Sequence, residues 1–278
     1  MLGYDIAFLK GDQAAMEREA ARARERSGGE NWISNREAFA LASLGRLQQA
    51  RDMSRRAVDH AQQVAQPERA GLWEAGAAVR EALFGNSSES KKRATAALTL
   101  SKDREAEYGA AFALARAGDF VGAQQLVDDL ERRFPEDTAV RFSYLPTLRA
   151  RLALNHGDAS KAIELLQVAV PDELGAPRSV HALFGALYPI YVRGEAYLAE
   201  GKAAEAAGEF QKILDHRGIV VSDPIGALAR LQLGRAYLML GDKSRAKSAY
   251  QDFLALWKDA DPDIPILKQA KAEYAKMQ

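Results

Sequence analysis

The stretch "LGRAYLMLGDKSRAKSAY", Leu233–Tyr250, places Gly234, Ala236, Gly241, Ala246 and Ala249 where a packed helix usually carries bulk, set among Tyr237, Leu238 and Tyr250. A glycine between two apolar helical runs supplies the left-handed backbone that ends the first helix without a side-chain clash. Five residues later a small side chain lies where the second helix crosses the first, and a larger one would push the axes apart. The stretch therefore reads as two antiparallel helices joined by a tight turn at Gly241.

The same arrangement recurs along the chain, at Gly11, Gly45, Gly85, Gly118, Gly157, Gly201 and Gly241. The successive intervals are 34, 40, 33, 39, 44 and 40 residues, the range of two-helix solenoid units. Five residues after each glycine stand Met16, Ala50, Ser90, Ala123, Ala162, Ala206 and Ala246, six of the seven being small. The spacing predicts an all-α solenoid over 1–278 as a single domain. It has about six helix-turn-helix repeats, a truncated first repeat before Gly11, and a capping helix within 261–278, where Ile266, Leu267, Ala270 and Tyr274 share one face. The short start suggests a segment, the C-terminal part of a larger protein. The insert "PDELGAPRSV", Pro171–Val180, interrupts the regular repeat.

Composition narrows the function. The 278 residues carry 38 Lys+Arg against 38 Asp+Glu, so a global source of attraction to nucleic acid is missing and no nucleic-acid partner is expected. No apolar run approaches the roughly 18 residues of a spanning helix, so direct membrane insertion is not expected. The first thirty residues lack the features of a secretory signal. There is no cysteine, which removes disulfide and thiolate chemistry and leaves the compartment open, with cytoplasm favoured over the periplasmic side of a tethered parent.

Candidate chemistry is thin. His60, His156, His181 and His216 fall in separate units without helical ligand spacing. Asp259, Asp261 and Asp263 imitate the start of a calcium loop, but Ile264 and Ala270 occupy its glycine and glutamate positions. Helix capping by Asp261 or Asp263 is the better reading. In "GEAYLAEGKA" six residues separate Gly194 from Gly201 and Ala203 follows Lys202, so it is not a phosphate loop. No catalytic residue, cofactor or metal is assigned.

Leu233, Gly234 and Tyr237, followed by Ala246, Tyr250 and Phe253, resemble the tetratricopeptide repeat. Gly194, Tyr197, Gly201, Ala206 and Phe210 repeat the pattern, and weaker copies cover almost the whole chain. The resemblance implies a right-handed α-α superhelix whose first helices line a concave groove. Carried over position by position, the groove residues are Trp32, Asn35 and Phe39; Tyr108, Phe112 and Arg116; Tyr144, Arg151 and Asn155; Tyr188, Tyr191 and Glu195; and Arg235. Aromatics with arginine are the composition of binding hot spots. Members of the family that clamp a terminal carboxylate use lysine and asparagine at two of these positions within one repeat; Asn35 and Phe39 stand there, which disfavours that clamp. The segment from Gly194 to Gln278 is similar to the C-terminal repeats of bacterial eukaryotic-like serine/threonine kinases and of winged-helix regulators with the same tail. No kinase glycine loop, His-Arg-Asp or Asp-Phe-Gly motif occurs in the 278 residues. The expected role is a signalling scaffold that binds a protein or peptide in its groove, with no catalysis of its own. An autoregulatory segment or one that self-associates is the alternative.

Overall fold

The computed structural model describes residues 2–175 and 187–277, so His181 and the second half of the insert lie outside the described residues. Sixteen α-helices and no strand occur among the described residues. They form seven antiparallel pairs: α1 (Leu2–Lys10) with α2 (Gln13–Arg24), α3 (Gly29–Ser43) with α4 (Leu47–Gln63), and α5 (Pro67–Phe84) with α6 (Ser87–Leu100). Next come α7 (Arg104–Arg116) with α8 (Phe120–Arg133), α9 (Leu145–Asn155) with α10 (Ala159–Leu166), and α11 (Tyr188–Ala199) with α12 (Ala203–Asp215). A four-residue α13 (Arg217–Val220) precedes the pair α14 (Pro224–Met239) and α15 (Lys243–Leu256), and α16 (Pro265–Ala275) closes the chain. The protein is an all-α helical solenoid.

All seven turn glycines have positive φ, from 69° at Gly11 to 89° at Gly85. Behind each, the next residue's N–H reaches the carbonyl five residues back, as in Asp242 to Tyr237 at 3.0 Å and Asp119 to Leu114 at 2.9 Å. This is the bond that ends a helix at a left-handed residue. Where aspartate follows the glycine, its carboxylate caps the second helix: Asp12, Asp119, Asp158 and Asp242 each accept from the N–H three residues on, at 2.9–3.0 Å. Glycine stops one helix and aspartate starts the next.

The small residues do the spacing work expected of them. Ala123, Ala162, Ala206 and Ala246 are completely buried, and Ser90, in the same place, satisfies its hydroxyl on the Ala78 carbonyl at 3.0 Å. A side chain on Gly234 would lie 2.7 Å from the Tyr250 ring, and one on Gly194 equally close to Phe210. Each glycine is thus the seat of a buried aromatic from the partner helix, worth roughly 1.5–3 kcal/mol per ring. The longer interval before Gly157 is taken up by Pro135 and a π-helical turn, Val140–Tyr144. That turn precedes Pro146, whose missing N–H disturbs the regular ladder.

The stack does not run straight. The last pair and α16 return to the second and third pairs, with α14 lying against α3 and α16 against α5. Trp257, only 2% exposed, donates from Nε1 to the Ser43 carbonyl at 3.0 Å and sits edge-on to Phe84 at 5.0 Å. The Asp261 N–H donates to the Gly45 carbonyl at 3.0 Å, and its carboxylate accepts from the Gln48 N–H at 2.7 Å. Asp261 does cap a helix, but α4 rather than α16, whose N-cap position is Ile264 without a side-chain bond. A seam therefore joins the two ends of the solenoid.

Candidate functional site

The first helices of the pairs, with the π-helical turn before α9, carry the expected groove positions in one row, linked from helix to helix by Tyr108–Tyr144, Phe112–Tyr188 and Arg116–Glu195 contacts. Along it the thirteen groove positions fall into two zones. In the deeper zone Phe39, Tyr108, Phe112, Tyr144, Tyr188 and Tyr191 are between 0% and 6% exposed. Tyr108 and Tyr144 stack at 3.9 Å, Phe112 meets Tyr188 edge-on at 5.3 Å, and Tyr191 meets Phe210 at 5.8 Å. Asn35 is buried with them, while Trp32 is half-buried, with its ring on Trp73 and under Arg69. These residues come together, as their shared helical positions predict. Their rings are covered by one another and by neighbouring helices, however, so the aromatic part of the expected open groove is packed interior.

Of the polar partners in this zone Glu105 is buried and Asp223 half-buried. The Tyr144 hydroxyl donates to Glu105 at 2.6 Å and the Tyr188 hydroxyl to Asp223 at 3.2 Å. Burial pushes the Asp223 carboxyl up to about 6, against the opposing pull of the Ile225 N–H, Tyr188 and Arg80. Arg80, 2% exposed, lies over the Phe39 ring at 4.6 Å and donates to Ser54 at 2.6 Å, while its Nη1 has no partner. Burial, reinforced by Arg93, lowers its pKa to about 10.

Nearer the glycine turns the row changes character. Here the last turns of α7, α9, α11 and α14 bring Arg116, Arg151, Asn155, Glu195 and Arg235 to one partly exposed rim. Arg116 grips the Glu195 carboxylate with both terminal nitrogens at 2.7–3.0 Å. Arg151 shares that carboxylate at 3.1 Å and reaches the Asn155 amide oxygen at 2.6 Å. The Asn155 amide then donates to the Ala115 carbonyl at 2.8 Å, tying α9 to α7. Burial disfavours the Glu195 charge, yet Arg116 and Arg151 hold the carboxyl below its usual range. For Arg151 burial wins, and its pKa falls despite Glu195. Arg235 joins through Gln232 at 3.2 Å and pairs with Glu273 of α16 at 3.0 Å through two nitrogens.

Gln232 and Glu273 complete this ladder and were not among the residues read from the sequence. Glu273 had no signal: it sits on the last helix, which periodicity treats as a cover. Gln232 stands directly before Leu233 and Gly234 of the best repeat, where polarity on an apolar face is the only hint.

Elsewhere, among the described residues, no group of three or more His, Asp or Glu could hold a metal ion, and no helix is long and apolar enough to cross a membrane. A cavity of about 620 Å³ lies at the opposite edge, among the loops that join successive pairs. Its arginines are engaged: Arg104 by Asp137 and Glu105, Arg133 by Glu107, and Arg69 by Gln66.

Residues 228–260, which hold α14 and α15, match the tetratricopeptide repeat family model. No curated protein sequence matches the chain. Among solved structures, the yeast Tom70 crystal structure is similar over 98% of this chain and 59% of its own, at 14% identity and a TM-score of 0.48. The P58(IPK) TPR domain is similar over 99% of this chain and 86% of its own, at 12% identity and a TM-score of 0.34. This chain thus spans under two thirds of the Tom70 chain.

Proposed function

We propose that this protein is an interaction scaffold without catalysis of its own, and that a segment of a protein partner lies along the polar rim of its inner face. A tetratricopeptide repeat at 228–260 within a helical solenoid supports the class of function. The observation that carries the location is the imbalance of charge on the rim. Three guanidiniums, Arg116, Arg151 and Arg235, face two carboxylates, Glu195 and Glu273, and Arg116 and Arg151 share one of them. A partner carboxylate is the natural complement, because arginine binds carboxylates through paired, charge-assisted hydrogen bonds. The deeper aromatics shape and stiffen the rim rather than touch the partner.

The similarity of Gly194–Gln278 to bacterial kinase and winged-helix regulator tails supports reading the chain as the repeat region of such a signalling protein. That finer assignment rests on the sequence resemblance alone.

The test is capture of partners on the immobilised chain, with Arg151→Ala and Arg235→Ala beside Arg55→Ala on the outer surface of α4. All three must keep wild-type helicity. Loss of a retained protein in the rim variants, with retention by Arg55→Ala, supports the reading. Equal retention by all three overturns it.

A further inference from the structure

Several arginines of this fold are answered by a carboxylate, as with Arg51 and Glu81, Arg93 and Glu74, or Arg193 and Glu173, whereas the buried Arg80 has only Ser54. Two further arginines without a carboxylate partner among the described residues, one half-buried and one exposed, line the same cavity. Arg230 on α14 is half-buried, and among the described residues its Nη1 donates to the Gly226 carbonyl of its own helix, at 2.7 Å. Arg217 on α13 is exposed, and among the described residues it reaches the Leu9 carbonyl, at 3.4 Å. Both line a cavity of about 90 Å³ whose walls include Phe8, Leu44 and Leu256, so it opens where the first pairs meet the last. Burial, and then Arg217, depress the Arg230 pKa, with Asp252 offsetting part of the effect from outside ion-pair distance.

The backbone is arranged to hold this pair of like charges together. Gly226 has no side chain, and one would stand 2.7 Å from Val220, so α13 can lie directly against α14. The chain then leaves α13 through Val221 at φ 48°, ψ −109°, a left-handed setting that a β-branched residue adopts only at a cost of about 1–3 kcal/mol. Asp223 also lines the cavity, but its oxygens are taken by the Ile225 N–H and the Tyr188 hydroxyl. It is not a counter-ion to either arginine.

We propose that the cavity between Arg217 and Arg230 binds a small oxyanion. Two guanidiniums supply the paired donors that a tetrahedral or planar oxyanion accepts. The volume of about 90 Å³ is on the scale of a few waters, enough for a small oxyanion such as phosphate. Because its walls come from both ends of the solenoid, an anion bound there stabilises the closed seam by mass action.

The test is titration of the intact chain with inorganic phosphate at constant ionic strength, followed by calorimetry and by thermal unfolding, with sodium chloride as the reference salt. The expected result is saturable binding with a raised melting temperature, and at least a tenfold weaker affinity in both Arg230→Gln and Arg217→Gln. Arg217 is exposed, with one long hydrogen bond to the Leu9 carbonyl, so its variant stays informative if Arg230→Gln is poorly folded. Glycerol phosphate in a parallel arm separates a free anion from a phosphate ester: comparable binding means that the ester's remainder projects into solvent, weaker binding means that the site takes the free ion. No binding beyond sodium chloride, or wild-type affinity in both variants, overturns the proposal.

Discussion

Asp261 accepts a hydrogen bond from the backbone N–H of Gln48 at 2.7 Å, across 213 residues of chain. Four of the seven repeat turns read Gly-Asp, and there the aspartate caps its own second helix. The turn at Gly45 reads Gly-Arg, so α4 begins without a side-chain cap of its own. The missing carboxylate comes from the other end of the protein.

Replacing Asp261 by Ala removes that cap and leaves the first N–H groups of α4 to solvent. The expected cost is about 1 kcal/mol in urea unfolding. Asp263→Ala, with no resolved role in capping, should lie within about 0.5 kcal/mol of wild type.

Trp257 anchors the seam among Ser43, Phe84 and Phe253. Trp257→Ala should cost about 3–5 kcal/mol. It should also loosen the closure, so that small-angle scattering shows a larger radius of gyration for a chain whose helicity is unchanged. An unaltered radius with the full loss of stability would mean that the seam holds without its tryptophan.

The turn glycines are not equivalent. A Cβ on Gly118 meets nothing, whereas one on Gly45 would strike Ala260 and lie 2.8 Å from Trp257. Gly118→Ala should cost about 1 kcal/mol, the penalty of a left-handed alanine alone. Gly45→Ala carries that penalty and the clash, and its melting temperature should fall well below that of Gly118→Ala.

Asp223 gives a pH dependence with a definite sign. Its carboxyl titrates near 6 in the folded protein and near 3.9 in the unfolded chain. Between those values the folded state holds more protons, so stability decreases as pH rises through the window, by at most about 1.4 kcal/mol per unit from this group. Asp223→Asn should flatten the slope between about pH 4 and pH 6; an unchanged slope would place the titration elsewhere.

Substituting the deep aromatics probes stability, not binding. A Tyr108→Ala, Tyr144→Ala, Tyr191→Ala triple variant opens large cavities in the packed interior, and single changes of this kind cost about 3–5 kcal/mol each. The triple variant should fail to fold cooperatively by calorimetry, while Arg151→Ala at the rim should unfold as one transition.

Local pattern determined the repeats. Seven glycines, the small residues five positions later and the aromatics that fit against Gly194 and Gly234 depend on contacts within a helix pair, and such contacts leave a periodic mark on the sequence. That Tyr108 and Phe112 share one face of α7 was legible for the same reason, because helical spacing decides which face a residue shares. What covers that face was decided only by the tertiary structure. Burial of the aromatics, the meeting of Arg116 and Arg151 on Glu195, and the return of Trp257 and Asp261 to the turn at Gly45 depend on curvature summed over many pairs. Small rotations at each interface add up along the stack, and no single repeat records their total.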